Sequence, residues 1–409
     1  MDTYDILIVG GGAAGFFTAI NAAEFNPKLK ILILERGKEV LTKVKVSGGG
    51  RCNVTHAEFI PAELVKRYPR GEKELRGPFH KFMTGDTIGW FGQRGIELKT
   101  EEDGRMFPIT DSSQTIIDCF QKECKRLNIE ILKGQSLKNL KKENDRWLIE
   151  TTNDSFSTEK LMLATGSNSK IWNLLEKIGH RIVPAVPSLF TFNIKDKRIK
   201  GLAGISSEAE VKILGENLES SGPLLITHWG MSGPGILKLS AWGARQLNDL
   251  NYNFSIEVNW IPGNTSTDIL EELKELKFSN SKQQVSTRPQ FDLPKRLWHS
   301  IVEASGINTE TKWADLNKVQ LINLAEELTT AKFMVEGKST FKEEFVTAGG
   351  IDLKEVDFKT FESKILKNLY FAGEILNIDA ITGGFNFQNA WTGGYLAAKA
   401  MSSNAISQN

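Results

Sequence analysis

The first chemistry this chain offers is the handling of phosphate. Gly10, Gly12 and Gly15 stand in a Gly-x-Gly-x-x-Gly spacing, directly after the apolar run Tyr4–Val9 and ahead of a helical stretch ending at Phe25. Glycines so placed allow a tight turn and let the backbone at Ala13 and Ala14 approach a pyrophosphate at the positive end of a helix. Glu35 closes a second apolar run, Lys30–Leu34, 20 residues after Gly15. A carboxylate there can accept hydrogen bonds from both ribose hydroxyls of an adenosine. Arg36 beside it reads as a partner for a 2′-phosphate or as a surface arginine.

Two further glycine-rich stretches carry the same kind of chemistry. In Lys43–Thr55, three successive glycines follow Ser47, and Gly49 and Gly50 lead into Arg51, Cys52 and Asn53. Such a loop presents backbone N–H groups, with Arg51 and Asn53 as added donors, and suits an electron-rich phosphate- or flavin-like ligand. Cys52 has no neighbouring cysteine and reads as a small residue packed against that ligand rather than as a redox thiol. Near the other end, Leu369–Ala372 stops at Gly373-Glu374, and Gly383-Gly384 precede Phe385, Asn386 and Phe387 at the start of a small-residue helix. Arg105 could face a substrate carboxylate or the cofactor, or pair with Glu101–Asp103.

These residues need strands to carry them. Apolar runs end at Gly10, at Glu35, at Ala164-Thr165-Gly166 and at Gly373, and ligands of doubly wound sheets gather at the carboxyl ends of strands. Ile129–Leu132, Leu137–Leu140, Trp147–Thr151 and Ser155–Lys160 alternate like a small antiparallel meander, and Leu161–Gly166 follows as a separate buried strand. Ser112–Leu127 reads as an amphipathic helix that packs Cys119 and Cys124. The strands point to an α/β fold with a Rossmann-like, doubly wound sheet; the family resemblance set out below implies a glutathione-reductase-like FAD-binding domain with inserted β-rich (barrel-like) and helical subdomains. The expected domains are 1–187 with 345–409, a β-rich insert of 188–263 with 331–344, and a helical part of 264–330. In the insert, Ser232 is the expected N-cap of a helix running to Leu247. No second dinucleotide fingerprint occurs: Gly48-x-Gly50 lacks the third glycine, and Gly230–Gly235 follows no strand–helix–strand pattern.

The bulk composition narrows the class. Of 409 residues, 40% are hydrophobic and 25% charged, with net charge +1, which predicts a globular chain with no nucleic-acid partner. No apolar stretch reaches the roughly 18 residues of a membrane span, and Asp2 and Asp5 stand where a secretion signal needs positive charge. Three cysteines give no disulfide framework. A reduced cytoplasmic protein is the expectation, with oligomeric state left open. The five histidines show no metal-ligand spacing, so no metal is expected. His228, in a glycine-rich turn, reads either as a proton donor to a flavin-bound substrate or as a histidine bonded to backbone.

Taken together, Ser47-Gly-Gly-Gly-Arg-Cys-Asn53, Gly104–Pro108, Thr227-His-Trp-Gly-Met-Ser-Gly-Pro234, Val346–Gly350, Tyr370–Glu374 and Thr382-Gly-Gly-Phe-Asn-Phe-Gln388 resemble the BaiN/YhiN-like flavoprotein family, also called aminoacetone-oxidase-family FAD-binding enzymes. The resemblance runs from about residue 4 to residue 400. It implies FAD, with its pyrophosphate at Gly10–Gly15, its adenosine ribose at Glu35 and its ribityl chain and flavin ring along Ser47–Asn53. It further implies a backbone contact from Leu137 to adenine, Glu374 near the ribityl or pyrophosphate, and the Gly383–Gln388 helix start at the flavin pyrimidine edge. Two departures stand out: the Ala164–Lys170 loop is shorter than is usual in the family, and Phe385 stands where tyrosine is common. The function expected is an FAD-dependent oxidoreductase passing hydride through flavin N5, with NADH or NADPH as a transient donor and an unknown small-molecule substrate. The alternatives are an oxygen-using amine oxidase and a non-catalytic flavin-binding or RNA-associated protein.

Overall fold

The computed structural model describes residues 1–339 and 346–403. Their contacts divide the chain into two compact units, 1–186 with 342–409 and 187–341. The expected domain junction at 344/345 lies outside the described residues.

The first unit is built on five parallel strands in the order Leu369–Phe371, Ser155–Leu163, Asp2–Val9, Ile31–Glu35 and Glu130–Lys133. Ile6, Leu7 and Ile8 in the middle strand are fully buried, as a near-continuous apolar run covered on both faces requires. Two short antiparallel strands, Glu362–Ser363 and Val356–Asp357, extend the Leu369–Phe371 edge. The helix Ala13–Phe25 lies against the C-terminal helix Phe385–Ser402, and small residues set their approach. A Cβ on Gly394 would stand 3.0 Å from Thr18 Oγ1 and 3.2 Å from Ala14 O. Phe17, Trp90, Phe120 and Trp391 pack ring against ring beside this contact.

The meander differs from the expectation in two ways. Glu130–Lys133 belongs to the parallel sheet as its edge, because its register with Leu32–Glu35 continues the doubly wound order. Ser155–Leu163 is one strand, not two. Its outer half pairs antiparallel with Arg146–Thr151, while its whole length runs parallel to Asp2–Val9, so the ladder has no break at Lys160. A three-stranded sheet of Thr55–His56, Arg105–Pro108 and Leu98–Thr100 adjoins the glycine-rich segment.

The second unit is a seven-stranded antiparallel sheet whose edge strands, Ala331–Glu336 and Lys338–Ser339, are consecutive in the chain. Gly337 between them donates to Tyr252 O and accepts from Asn193 N, which brings the two edges of the sheet together. Its strands and its helices Ser266–Ser279, Lys295–Ala304 and Lys318–Thr329 share one hydrophobic core. Ser232 is not the N-cap of the helix Pro234–Trp242: it pairs with Leu225 in the ladder and accepts from Thr191 Oγ1. Gly233, at φ 90°, makes the turn into the helix, a conformation that favours glycine.

Candidate functional site

At the N-terminal turn, Gly10 and Gly15 are forced to be glycine by the backbone around them. A Cβ on Gly10 would stand 2.3 Å from Ala164 O, and one on Gly15 2.0 Å from Gly10 O. Gly12 differs, since a Cβ there would meet nothing within 4 Å. Gly12 is also the N-cap of Ala13–Phe25, with no side-chain cap and no acid in the first turn. Free N–H groups at a positive helix end, facing open space, are the arrangement that accepts a phosphate. Glu35 stands beside it, its carboxylate accepting from Gly11 N at 2.8 Å and Gly37 N at 2.7 Å. Gln135 N donates to Glu35 O, so the strand beginning at Leu137 starts close to Glu35. Arg36 is exposed.

The second glycine-rich stretch folds as a helix, Thr42–Gly50, whose last turn departs from helical geometry at Ser47, Gly48 and Gly49. Gly49 faces open space, whereas a Cβ on Gly48 would press to 2.9 Å on the Phe107 ring. Arg51 pairs with Glu101 at 2.5 Å and lies over the Phe107 ring, which commits its charge to its own surroundings. Arg105 pairs with Glu101 and Asp103. Cys52 is fully buried, and burial pushes its thiol up to about 12. It therefore stays protonated near neutrality, which suits a packing residue and not a nucleophile. Asn53 bridges outward: in the amide orientation its surroundings satisfy, it accepts from Gly384 N at 3.0 Å and donates to Thr55 O at 2.9 Å.

The C-terminal helix begins at Phe385, directly after the two glycines, and Gly384 at φ 92° is its N-cap. Like the first helix, it has no side-chain cap and no acid in its first turn. Asn386 is spent on its own loop, bonding both Ala380 N and Ala380 O. Phe387 stacks on Trp391 at 5.5 Å. Gly373 packs on Ala14, its Cβ position 3.4 Å from the alanine methyl. Glu374 is bonded to Lys43 at 2.6 Å, tying the strand end after Phe371 to the Thr42–Gly50 helix. A Cβ on Gly166, after Ala164-Thr165, would stand 3.9 Å from Glu374 Oε2. Gly10–Gly15, Gly373-Glu374 and Lys43 thus form one neighbourhood, and Asn53, Gly384 and Phe385 another that shares their helices. His228 is on an exposed turn of the second unit, with its ring 6.3 Å from that of Trp229.

Sequence reasoning passed over the residues that hold the second helix start. His56 Nδ1 lies 3.1 Å from Gly383 O, and its ring is 4.5 Å from that of Phe385. Burial holds its pKa below the usual imidazole range, and the nearby Arg67 charge adds to this. A neutral imidazole facing a carbonyl carries its proton on Nδ1 and leaves Nε2 as an acceptor. Tyr68 donates to Phe385 O at 2.6 Å, and buried Gln388 accepts from Thr55 at 2.6 Å and Thr87 at 3.0 Å. Asp379, fully buried, pairs with Arg70 through both carboxylate oxygens. The lone Asp379 inside the apolar run Ile375–Ile381 was the one visible signal, since a charge there demands a partner.

Residues 4–400 match the family described as HI0933-like protein Rossmann domain. The chain belongs to that family. Relatives match nearly end to end. The ribosomal RNA dihydrouridine synthase of Haemophilus influenzae is 29% identical over 97% of this chain and 98% of its own. The 3-dehydro-bile acid delta(4,6)-reductase of Clostridium scindens is 28% identical over 96% and 98%. Among solved structures, a 3-ketosteroid-delta4-(5alpha)-dehydrogenase from Rhodococcus jostii RHA1 aligns over 98% of this chain and 97% of its own. Its TM-score is 0.54 at 12% identity, a likeness of fold. The protein is an FAD-dependent oxidoreductase of the Rossmann class, as the resemblance implied.

Proposed function

We propose that this flavoenzyme is a reductase that delivers hydride to a carbon–carbon double bond conjugated to a carbonyl, with NADH or NADPH as electron source. The observation that carries the reading is the pair of glycine-first, uncapped helices, Ala13–Phe25 and Phe385–Ser402, packed side by side. One suits the FAD pyrophosphate. The other offers a positive end where a reduced flavin carries negative charge. Bound FAD supplies the hydride; the protein positions it and sets its electrostatics. Gly10, Gly12, Gly15, Ala13 and Ala14 would hold the pyrophosphate, Glu35 the ribose, and Lys43, Ser47, Gly49 and Glu374 the chain between. The lack of a second dinucleotide fingerprint fits a nicotinamide that visits without a domain of its own.

The names of the relatives support the bond type. A dihydrouridine synthase and a delta(4,6)-reductase of a dehydro-bile acid both denote saturation of a double bond in conjugation with a carbonyl. Within that class, uracil in ribosomal RNA is the second reading, favoured by two relatives so named, of Haemophilus influenzae and Escherichia coli, at 29% and 26% identity. Incubating the holoenzyme and a reduced nicotinamide with a cyclic enone and, separately, with ribosomal RNA tests both. Saturated enone or dihydrouridine by mass spectrometry is the expected product; neither product, together with oxygen consumption on primary amines, would overturn the proposal.

A further inference from the structure

Lys66, Arg67 and Arg70 lie on one short segment, and the fold treats their charges unequally. Lys66 pairs with Glu63 at 2.7 Å, and Arg70 pairs with buried Asp379 through both carboxylate oxygens. Arg67 has no ion pair and no side-chain hydrogen bond among the described residues. It is half-buried, and its Nε is shut away from solvent with no acceptor. A shielded donor on a charged group has lost its hydration without gaining a bond, a loss that an acceptor from outside the chain would make good.

The neighbours of Arg67 fix where this charge sits. Ile381 N, two residues ahead of Gly383, donates to Arg67 O at 3.0 Å. Tyr68, the next residue, donates to Phe385 O at 2.6 Å. The positive charge of Arg67 also acts on His56, whose Nδ1 lies 3.1 Å from Gly383 O. These links converge on Gly383–Phe385, the start of the C-terminal helix. Asp103 and Glu58 act on His56 as well, and both are engaged: Asp103 with Arg105 at 2.7 Å, Glu58 with Ile60 N at 3.2 Å. Arg67 therefore brings an unspent charge to a helix start that has no side-chain cap and no acid in its first turn.

A helix end is worth roughly half an elementary charge. A reduced flavin without its N1 proton carries one full negative charge, so the helix start alone leaves about half of it unanswered. We propose that Arg67 is the counter-charge for reduced flavin at the Gly384 helix start and raises the reduction potential of the bound cofactor. The inference rests on the placing of the flavin at this helix start under the function proposed above. It adds that a guanidinium, and not the helix end alone, sets how strongly the site prefers reduced to oxidised flavin.

The test is the two-electron midpoint potential of FAD bound to the full-length protein, set with dithionite against a reference dye. Neither a nicotinamide nor a substrate enters that measurement. Arg67→Met should weaken the preference for reduced over oxidised flavin about tenfold, a fall of about 30 mV. Arg67→Lys, which keeps the charge, should recover most of that fall. Lys66→Met removes a neighbouring charge already paired with Glu63 and should leave the potential where it was. If Arg67→Met does not retain FAD, Arg67→Gln carries the same expectation, and loss of FAD from both would overturn the inference by making Arg67 a retention residue. A potential unchanged in the uncharged variant would overturn it too, and slower flavin reoxidation by an enone in that variant would assign Arg67 to the substrate instead. An equal fall in Lys66→Met would also overturn it. A shifted potential in a protein that reduces no enone would sink the reductase reading and leave this inference standing.

Discussion

The two glycine-first helix starts are held in place by opposite means. The turn Gly10–Gly15 is closed by its own backbone: Gly15 lies on Gly10 O, and Gly10 on Ala164 O of the neighbouring strand. The start at Gly384 is held from a distance, by Asn53, His56 and Tyr68, more than 300 residues earlier in the chain. A local steric device tolerates change around it but not within it. A long-range clamp spreads its stability over several modest bonds, and each can be loosened in turn.

That contrast predicts a ladder of effects. Gly10→Ala and Gly15→Ala, which drive a methyl into backbone carbonyls, should cost on the order of 4 kcal/mol and abolish flavin retention, read by thermal unfolding and visible absorbance. Gly12→Ala, in open space, should shift the melting temperature little while weakening flavin binding; a loss as large as that of Gly10→Ala would break the distinction. Next comes Asp379→Asn, which leaves Arg70 facing a neutral group at a fully buried position. A cost of about 3 kcal/mol is expected in denaturant titration. Tyr68→Phe removes one bond to Phe385 O and should cost roughly 1 kcal/mol, with flavin retained.

The smallest effect concerns pH. His56 has its folded pKa depressed by burial, so between that value and its ordinary one the unfolded chain binds the extra proton. The contribution of neutral His56 is then complete above its unfolded pKa and falls away as pH drops toward the folded one. The unfolding free energy of the intact protein, read by denaturant titration, should decline on acidification from neutral pH, and His56→Asn should flatten that decline. Buried His180 is depressed in the same direction, so the difference between the two proteins is the informative quantity.

The same contrast explains what the sequence made legible. Gly10–Gly15, Glu35 and the strands that carry them follow from spacing alone, because their geometry is local. The meander misread at Lys160 is instructive: Ser155–Leu163 changes partners along its length without changing conformation, and periodicity sees conformation only. The clamp at Gly384 was illegible because His56, Tyr68 and Gln388 acquire their roles from partners far along the chain. Arg51 shows the converse, a donor beside three glycines whose charge the fold gives to Glu101.

The most direct test of the account is anaerobic mixing of the flavin-loaded protein with NADH and with NADPH while the visible flavin absorbance is followed. Bleaching by one of them, then recovery on adding a conjugated enone or a uracil-containing RNA, is the predicted result. A flavin that neither nicotinamide reduces would contradict the account.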